Sequence, residues 1–504
     1  MASFITRLLS RFKTNRRSHR NRREPSRRLR VEAMEARRLL AGDLGAIAGN
    51  IFTDLTDNGY DPNNPPAVVG DPGIAGVTVR LFLDNGNGTF GSEDGVAIQT
   101  QVTNANGDYR FDGLSSIDDT TPALYFVQQD AATGRLQRPA QTVQSVTITP
   151  AMANGVEATN IDNYDTTPVT TAPAPLTATP STSVSDQAST AGGEALGGQR
   201  DLQVNNTTPI APGAQNLEVS VVGGLLSISP GPGVTGSVIV SYDGVDASAD
   251  TLDHTTLGLI DLTANDGEAF HFLVGSEAGN SLTVTVYSGG TDFSEATVPL
   301  TVTPGGTATA NLFIPFSTLL TTGGTGVDLT AVTAVRFQVD VVAGSDAQVN
   351  FTRVVGPDVS EVNFANLNPM SLGDLLFNDS NNNGLLDGTE SGIAGVEVEL
   401  YQDTNANGSY DDGIDTQVGI SQNTDANGNY LFTNLFPGEY LVLIPIAEFG
   451  AGQPLVGFQT STGNDPAPDP DIAVIDGDDN GSLIAGIGVA SAAITLAAGT
   501  EPTN

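Results

Sequence analysis

The chain is expected to be all-β, a multidomain string of β-sandwiches. Two observations carry that expectation. Short runs that alternate apolar and polar residues recur along it, among them Val77-Thr-Val-Arg-Leu-Phe-Leu83 and Val396-Glu-Val-Glu-Leu-Tyr401, as half-buried strands require. Asn-Gly pairs, which favour hairpin turns, stand between such runs, and past residue 42 no apolar pattern of helical period persists for a useful length. The 504 residues suffice for three or four domains.

Charge divides the chain sharply. Of 20 Lys and Arg residues, 13 precede Asp43, while 55 of the 58 Asp and Glu residues lie from Asp43 onward. The body therefore carries 7 − 55 = −48 and has no lysine. A body of that charge is repelled by nucleic acid and by anionic membranes, and it gains stability from bound cations. Cysteine and tryptophan are absent, so no disulfide forms and any staple is a metal or a well-filled core.

Residues 1–42 read as a disordered basic leader whose apolar run is too short to cross a membrane. Its segment Met34-Glu-Ala-Arg-Arg-Leu-Leu-Ala41 resembles the export signature at the N-terminus of large surface or secreted proteins of planctomycete bacteria. That resemblance implies a secreted or cell-surface location, with removal near Ala41. The alternative is a nucleic-acid-binding arm, which suits a body this acidic poorly. No transmembrane segment is expected.

An internal repeat organises the body. Gly73-Ile-Ala-Gly-Val77 recurs unchanged as Gly392-Ile-Ala-Gly-Val396. Asn104-Ala-Asn-Gly-Asp-Tyr-Arg-Phe111 answers Asp425-Ala-Asn-Gly-Asn-Tyr-Leu-Phe432, and Phe52 and Asp54 answer Phe377 and Asp379. The first copy is assigned to 45–167 and the second to 370–504. Between them, 168–197 is rich in Thr, Pro, Ala and Ser and reads as an extended linker. From 198 to 357, runs such as Ser237-Val-Ile-Val-Ser-Tyr242 and Leu282-Thr-Val-Thr-Val-Tyr287 suggest a jelly-roll-like sandwich.

The most informative stretch is Asp379-Ser-Asn-Asn-Asn-Gly-Leu-Leu-Asp-Gly-Thr-Glu390. It sets Asp379, Asn381 and Asn383 at positions 1, 3 and 5 of a calcium loop. Gly384 stands at 6, the Leu385 carbonyl at 7, Asp387 at 9 and Glu390 at 12. Calcium takes six to eight hard oxygens, so carboxylates and amides must alternate around a turn tight enough to converge. A second loop offers Asp403, Asn405, Asn407, Ser409 and Asp411 at positions 1, 3, 5, 7 and 9. Ile414 occupies its position 12, so Asp412 or Asp415 is left to supply the closing carboxylate. The turn Asp425-Ala-Asn-Gly428 is too short for a full site. In the first copy the loops decay: Pro62 and Pro65 occupy positions 9 and 12 after Asp54, and Asp84-Asn-Gly-Asn-Gly88 is one residue short. A loop held by turn hydrogen bonds is favoured there, with Asp57, Asp61 or Asp94 as the residual candidates for an ion.

The order of these motifs resembles the SdrD B-like domain, a calcium-binding β-sandwich of bacterial surface adhesins related to collagen-adhesin B-type modules. The resemblance implies two such modules flanking the jelly-roll-like sandwich. It implies calcium as the bound cofactor and extracellular matrix, a cell-surface protein or a glycan as partner. In that family the phrase Ala493-Ile-Thr-Leu-Ala-Ala-Gly-Thr-Glu-Pro502 leads into one more apolar strand. That strand is expected to be missing after Asn504, through truncation or an open sheet edge. The lysine–asparagine crosslink of collagen-adhesin-type modules cannot form in a body without lysine.

Enzymatic readings are thin. Past the leader only His254 and His271 occur, among strand-like residues, and no nucleophile elbow, HExxH or P-loop is present. The expectation is a non-enzymatic structural protein. Its rivals are a surface lectin using Tyr242 and Tyr287 as sugar platforms, and a fragment of an extracellular hydrolase.

Overall fold

Strands supply almost all regular structure in the computed structural model, which describes residues 44–57, 71–118, 120–139, 142–165, 175–190, 194–461 and 480–499. The expected leader, Pro62 and Pro65 lie outside the described residues. Among the described residues no helix exceeds four residues. The all-β sandwich architecture expected from residue alternation is the architecture found.

The first module packs two sheets around Ile47, Ile51, Val79, Leu81, Phe111, Tyr125 and Val127. Its opening strand, Gly45–Thr53, pairs antiparallel with Asp108–Leu114. The facing sheet is made of Thr78–Leu83, Gln99–Val102, Ala123–Gln129 and Val143–Ile148. The other edge of the opening strand is covered from far along the chain. Asp358–Glu361 and Phe364–Asn366 run parallel to it, with Gly45 facing Asp358 and Ile51 facing Phe364. The Val362 N–H donates to the Ala48 carbonyl at 2.8 Å. The Tyr109 hydroxyl donates to the Val362 carbonyl at 2.6 Å, and Asn50 N–H reaches Asn363 Oδ1 across 313 positions of sequence. Parallel neighbours need a crossover connection, and here the crossover is a whole domain.

That domain is the central sandwich, two seven-stranded sheets closing on one apolar core. Its limits differ from those expected. Val156–Asp162, assigned to the first module, pairs with Ala347–Gly356 in the central sheet. The segment read as a linker also contributes strands. Leu176–Ala178 pairs with Leu217–Val221, and Thr182–Ser189 pairs along its whole length with Gln199–Asn206. The physical reason is that small residues do the inward packing: Ala178 and Ala188 are buried. A stretch of Ala, Thr and Ser therefore forms edge strands without showing a hydrophobic pattern.

Arg200, the largest fully buried side chain, fixes the entry strand to the opposite sheet. Its Nη2 donates to Asp162 Oδ1 at 2.5 Å, and its guanidinium lies 5.0 Å from the centre of the Tyr164 ring. The Tyr242 hydroxyl donates to Asp162 Oδ2 at 2.7 Å. Tyr242 is completely buried, so it cannot offer its ring to a sugar as the rival lectin reading requires. On the other face of the Arg200 strand, burial and the neighbouring Asp243 charge push the Asp201 carboxyl up to about 8.

His271 is likewise a structural residue. Arg353 donates to its Nδ1 at 3.2 and 3.1 Å. That assigns the proton to Nε2, which donates to Asn311 Oδ1 at 2.9 Å. The ring stacks 4.1 Å from Phe313. Burial is the main cause that lowers its pKa to about 4.

The second module repeats the first pair for pair. Leu372 faces Phe432 as Ile47 faces Phe111, and Asp374 faces Tyr430 as Gly49 faces Tyr109. The repeated glycine of the Gly-Ile-Ala-Gly-Val motif has a steric cause. A Cβ on Gly73 would lie 1.8 Å from the Asn106 carbonyl oxygen, and one on Gly392 would lie 1.6 Å from that of Asn427. One difference separates the modules. Among the described residues, Met370–Leu375 pairs only with Asn429–Leu435. A cleft lined by Leu375, Leu376, Tyr430, Val442 and Val489 opens beside it. Ile51 is fully buried, whereas its counterpart Leu376 is only half-buried.

Two outcomes are expected. Phe364→Ala removes a side chain buried in the first module and destabilises that module by about 3–5 kcal/mol. Hydrogen exchange should then rise in 45–53 and 108–114 while the central sandwich stays protected; unchanged exchange there would contradict the inserted-domain topology. The second outcome concerns pH. Folded His271 titrates near 4, against 6.5 for a free histidine. As pH falls from 6.5 towards 4, the unfolded chain takes up a proton that the folded chain refuses. Stability is lost over that window, on the order of 3 kcal/mol. Thermal melts of wild type and His271→Gln between pH 7 and 4 check this, since the variant should lack that part of the slope.

Candidate metal-binding loops

Both acidic loops of the second module occupy turns between strands of the repeat. Asp379 follows Met370–Leu375, and Asp403 follows directly on Glu397–Gln402. Each chain path closes through a left-handed glycine at position 6, Gly384 with φ 77° and Gly408 with φ 79°. Position 4 is also left-handed in both, at Asn382 and Ala406. Two sequences of different composition thus adopt one backbone.

Their hydrogen bonds match in detail. Gly384 N–H donates to Asp379 Oδ2 at 2.8 Å, and Gly408 N–H donates to Asp403 Oδ2 at 2.7 Å. Asn381 Oδ1 accepts from Asn383 N–H, as Asn405 Oδ1 accepts from Asn407 N–H. Asn383 Oδ1 accepts from Leu385 N–H, as Asn407 Oδ1 accepts from Ser409 N–H. In the first loop the Asn381 and Asn383 amides both donate to Asp387 Oδ2, at 2.6 and 3.0 Å. In the second, Asn405 and Asn407 do the same to Asp411 Oδ2, at 2.8 and 2.6 Å.

The closing carboxylate is where the loops differ in sequence and agree in space. Glu390 accepts from Ser380 N–H at 2.7 Å and from Asp387 N–H at 2.9 Å, joining position 2 to position 9. Asp415 accepts from Thr404 N–H at 3.0 Å and from Asp411 N–H at 2.7 Å. Of the two residues left open by sequence, Asp415 therefore occupies the place of Glu390. A side chain one carbon shorter, set one residue later, spans the same pair of amides.

The donor set is entirely oxygen, as a hard cation prefers. Asp403 and Asp415 are buried at 6% and 9% exposure, and none of the described ion pairs reaches either loop. Among the described residues, no three His, Cys, Asp or Glu side chains alone form a metal cluster, so an ion held here draws on asparagine and main-chain oxygens as well. Hydrogen bonds, led by that from the Ser461 hydroxyl, hold the Asp379 carboxyl below the usual carboxylate range. Ser461 opens a segment that resembles the family, but its contact with Asp379 spans 82 positions and no local spacing marks it.

The turn after Asp425 is smaller. Asp425 Oδ1 accepts from Asn427 N–H at 2.8 Å and from Asn429 N–H at 2.9 Å, and the chain moves on into a strand.

In the first module the loop frame persists with other partners. Asp94 accepts from Asn85 N–H at 3.1 Å and from Gly91 N–H at 2.8 Å, closing the loop after Asp84 much as Asp415 closes its own. Asp71 accepts from Leu55 N–H at 3.0 Å beside the buried Asp54. Here a guanidinium supplies positive charge: Arg138 Nη2 bonds Asp57 Oδ2 at 2.6 Å. The same guanidinium lies 5.6 Å from the centre of the Phe436 ring in the second module. Asp61 lies outside the described residues.

Comparison with known proteins agrees with this geometry over part of the chain. The family model of the SdrD B-like domain matches residues 370–485. The chain is 37% identical over 111 residues to serine-aspartate repeat-containing protein C of Staphylococcus aureus, which covers 22% of this chain and 11% of that protein. It is 35% identical over 77 residues to Colossin-A of Dictyostelium discoideum, covering 15% of this chain and 1% of that one. The chain thus matches about a tenth of these relatives' length or less. Solved structures include a family 11 carbohydrate-binding module of a Clostridium thermocellum cellulase, 10% identical over 35% of this chain and 89% of that one, at a TM-score of 0.18. The major pilin subunit of Bacillus cereus is 11% identical over 79% of this chain and 87% of that one, at a TM-score of 0.13. Neither superposition is close enough to inform function. The family match and the paired loops agree on one segment: residues 370–485 are an SdrD B-like domain.

Proposed function

We propose that the chain is a non-enzymatic structural protein of the cell surface or extracellular space, adhesin-like, whose SdrD B-like module is stiffened by calcium. The observation that carries this reading is the pair of superposable loops. Each ties its turn together through one closing carboxylate that accepts from the amides of positions 2 and 9, and Asp403 and Asp415 are buried there without a basic partner among the described ion pairs. Taking carboxylates out of water costs several kcal/mol each unless a countercharge is present, and calcium supplies it. The ion would be held by Asp379, Asn381, Asn383, Leu385, Asp387 and Glu390 in one loop. In the other, Asp403, Asn405, Asn407, Ser409, Asp411 and Asp415 would hold it.

The consequence is mechanical. Binding free energy for an ion at a loop that is loose without it becomes folding free energy. Glu390 and Asp415 each tie position 2 to position 9, so a bound ion fixes the path from one strand to the next. Extracellular calcium then sets the stiffness of the module. The extended partner-binding role, towards matrix, surface protein or glycan, belongs to the same reading.

Calorimetric melting of the whole chain in calcium and in chelator tests this. Calcium at a hundredfold excess over its dissociation constant should stabilise the module by about 2.7 kcal/mol per site. Glu390→Ala and Asp403→Ala should each remove most of the gain from their own loop. If the module melts at one temperature in calcium and in chelator, the calcium-stiffened reading is wrong.

A further inference from the structure

The central sandwich contains a second acidic arrangement, independent of the loops described above. Along Gln199–Asn206, Arg200, Leu202 and Val204 point into the core, so Asp201 points to the opposite face of the sheet. Asp243 is the first residue past Gly236–Tyr242, the neighbouring strand, where Ser241 pairs with Asp201. Both aspartates are buried, at 3% and 1% exposure, and they lie close enough for each carboxyl to act electrostatically on the other. Oδ1 of Asp201 and Oδ1 of Asp243 each lack any hydrogen-bond partner.

The chain after Asp243 folds back over this pair. Gly244 has φ 100°, and a Cβ there would lie 2.3 Å from the main chain of Thr256. Thr256 Oγ1 donates to the Asp243 carbonyl at 2.6 Å, and Asp253 N–H donates to Asp243 Oδ2 at 2.7 Å. Asp246 adds a third carboxylate nearby, whose Oδ1 accepts from Gln187 Nε2 and from Ser248 N–H, both at 2.9 Å. On the neighbouring strand, the Arg336 guanidinium donates to Ser241 Oγ at 3.5 Å. None of the described ion pairs includes Asp201, Asp243 or Asp246.

We infer that Asp201 and Asp243 hold a hard divalent cation of the calcium type, which pins residues 243–256 to the outer face of the central sheet. Two facts require explanation together. Buried acceptors without a partner are rare, and two adjacent buried carboxylates repel unless a positive charge or a retained proton lies between them. One divalent ion resolves both, because it takes the two free oxygens and balances the two charges. The chain has no cysteine, and the oxygens of the pair form a set that selects a hard ion over a transition metal. The site lies in the inserted domain, so it stands or falls separately from calcium in the SdrD B-like loops.

Calcium counting on the whole chain, by equilibrium dialysis or native mass spectrometry, decides the matter. The isosteric double variant Asp201→Asn/Asp243→Asn should bind one calcium fewer than wild type. Asp379→Asn/Asp403→Asn should keep that ion while losing those of its own loops. Melting in chelator guards against simple misfolding. Removing two facing charges should leave the asparagine variant melting at or above wild type, and calcium should then raise wild type above it. An unchanged ion count would overturn the inference. So would a variant that melts below wild type in chelator, since a proton shared between the two carboxyls would then be the true staple.

Discussion

A β-strand at the border of a sandwich must have its outer edge paired, covered or made unattractive. In this chain that requirement governs the architecture. Gly45–Thr53 meets it by parallel pairing with Asp358–Glu361 and Phe364–Asn366, so the strands that close the first module follow the whole central sandwich in sequence. Val362 and Phe364 then enter the first core, and Tyr109 finds the Val362 carbonyl for its hydroxyl. The first module and the inserted sandwich are therefore linked in folding, because one supplies the last strand of the other. The contact order of that closure is high, and such pairings form late.

The strong negative charge is distributed by the same logic of compensation. Arg200 neutralises Asp162 in the middle of the central core, and Arg138 neutralises Asp57 beside the weakened loop of the first module. Elsewhere main-chain amides take up the carboxylates of the loops at Asp379 and Asp403, while Asp201 and Asp243 each keep one oxygen without a partner among the described residues. The body holds seven arginines for 55 acidic residues, seven of which are buried among the described residues.

Much of this was legible in advance, and the reasons are local. Strand type followed from period-two alternation, as in Val396–Tyr401, because burial of one face imposes it. Loop positions followed from the spacing of Asp, Asn and Gly, because a tight turn needs its glycine at a set place. The equivalence of Asp415 and Glu390 was only half legible. Spacing left Asp412 and Asp415 open, and the choice depends on which side chain reaches two amides at once. Thr182–Ser189 was misjudged because its inward residues are small, so burial left no hydrophobic signature.

The sequence by itself determined the all-β class, the repeat, and the paired acidic loops of residues 370–485. Each depends on neighbours within a dozen residues, and the local pattern carries the physics. Only the tertiary structure decided where one domain ends and another begins. Asp358–Asn366 belongs to a strand 313 positions earlier, and Asp201 meets Asp243 through pairing of separate strands. Such neighbours are chosen by edge closure and burial across the fold, which no window of sequence contains.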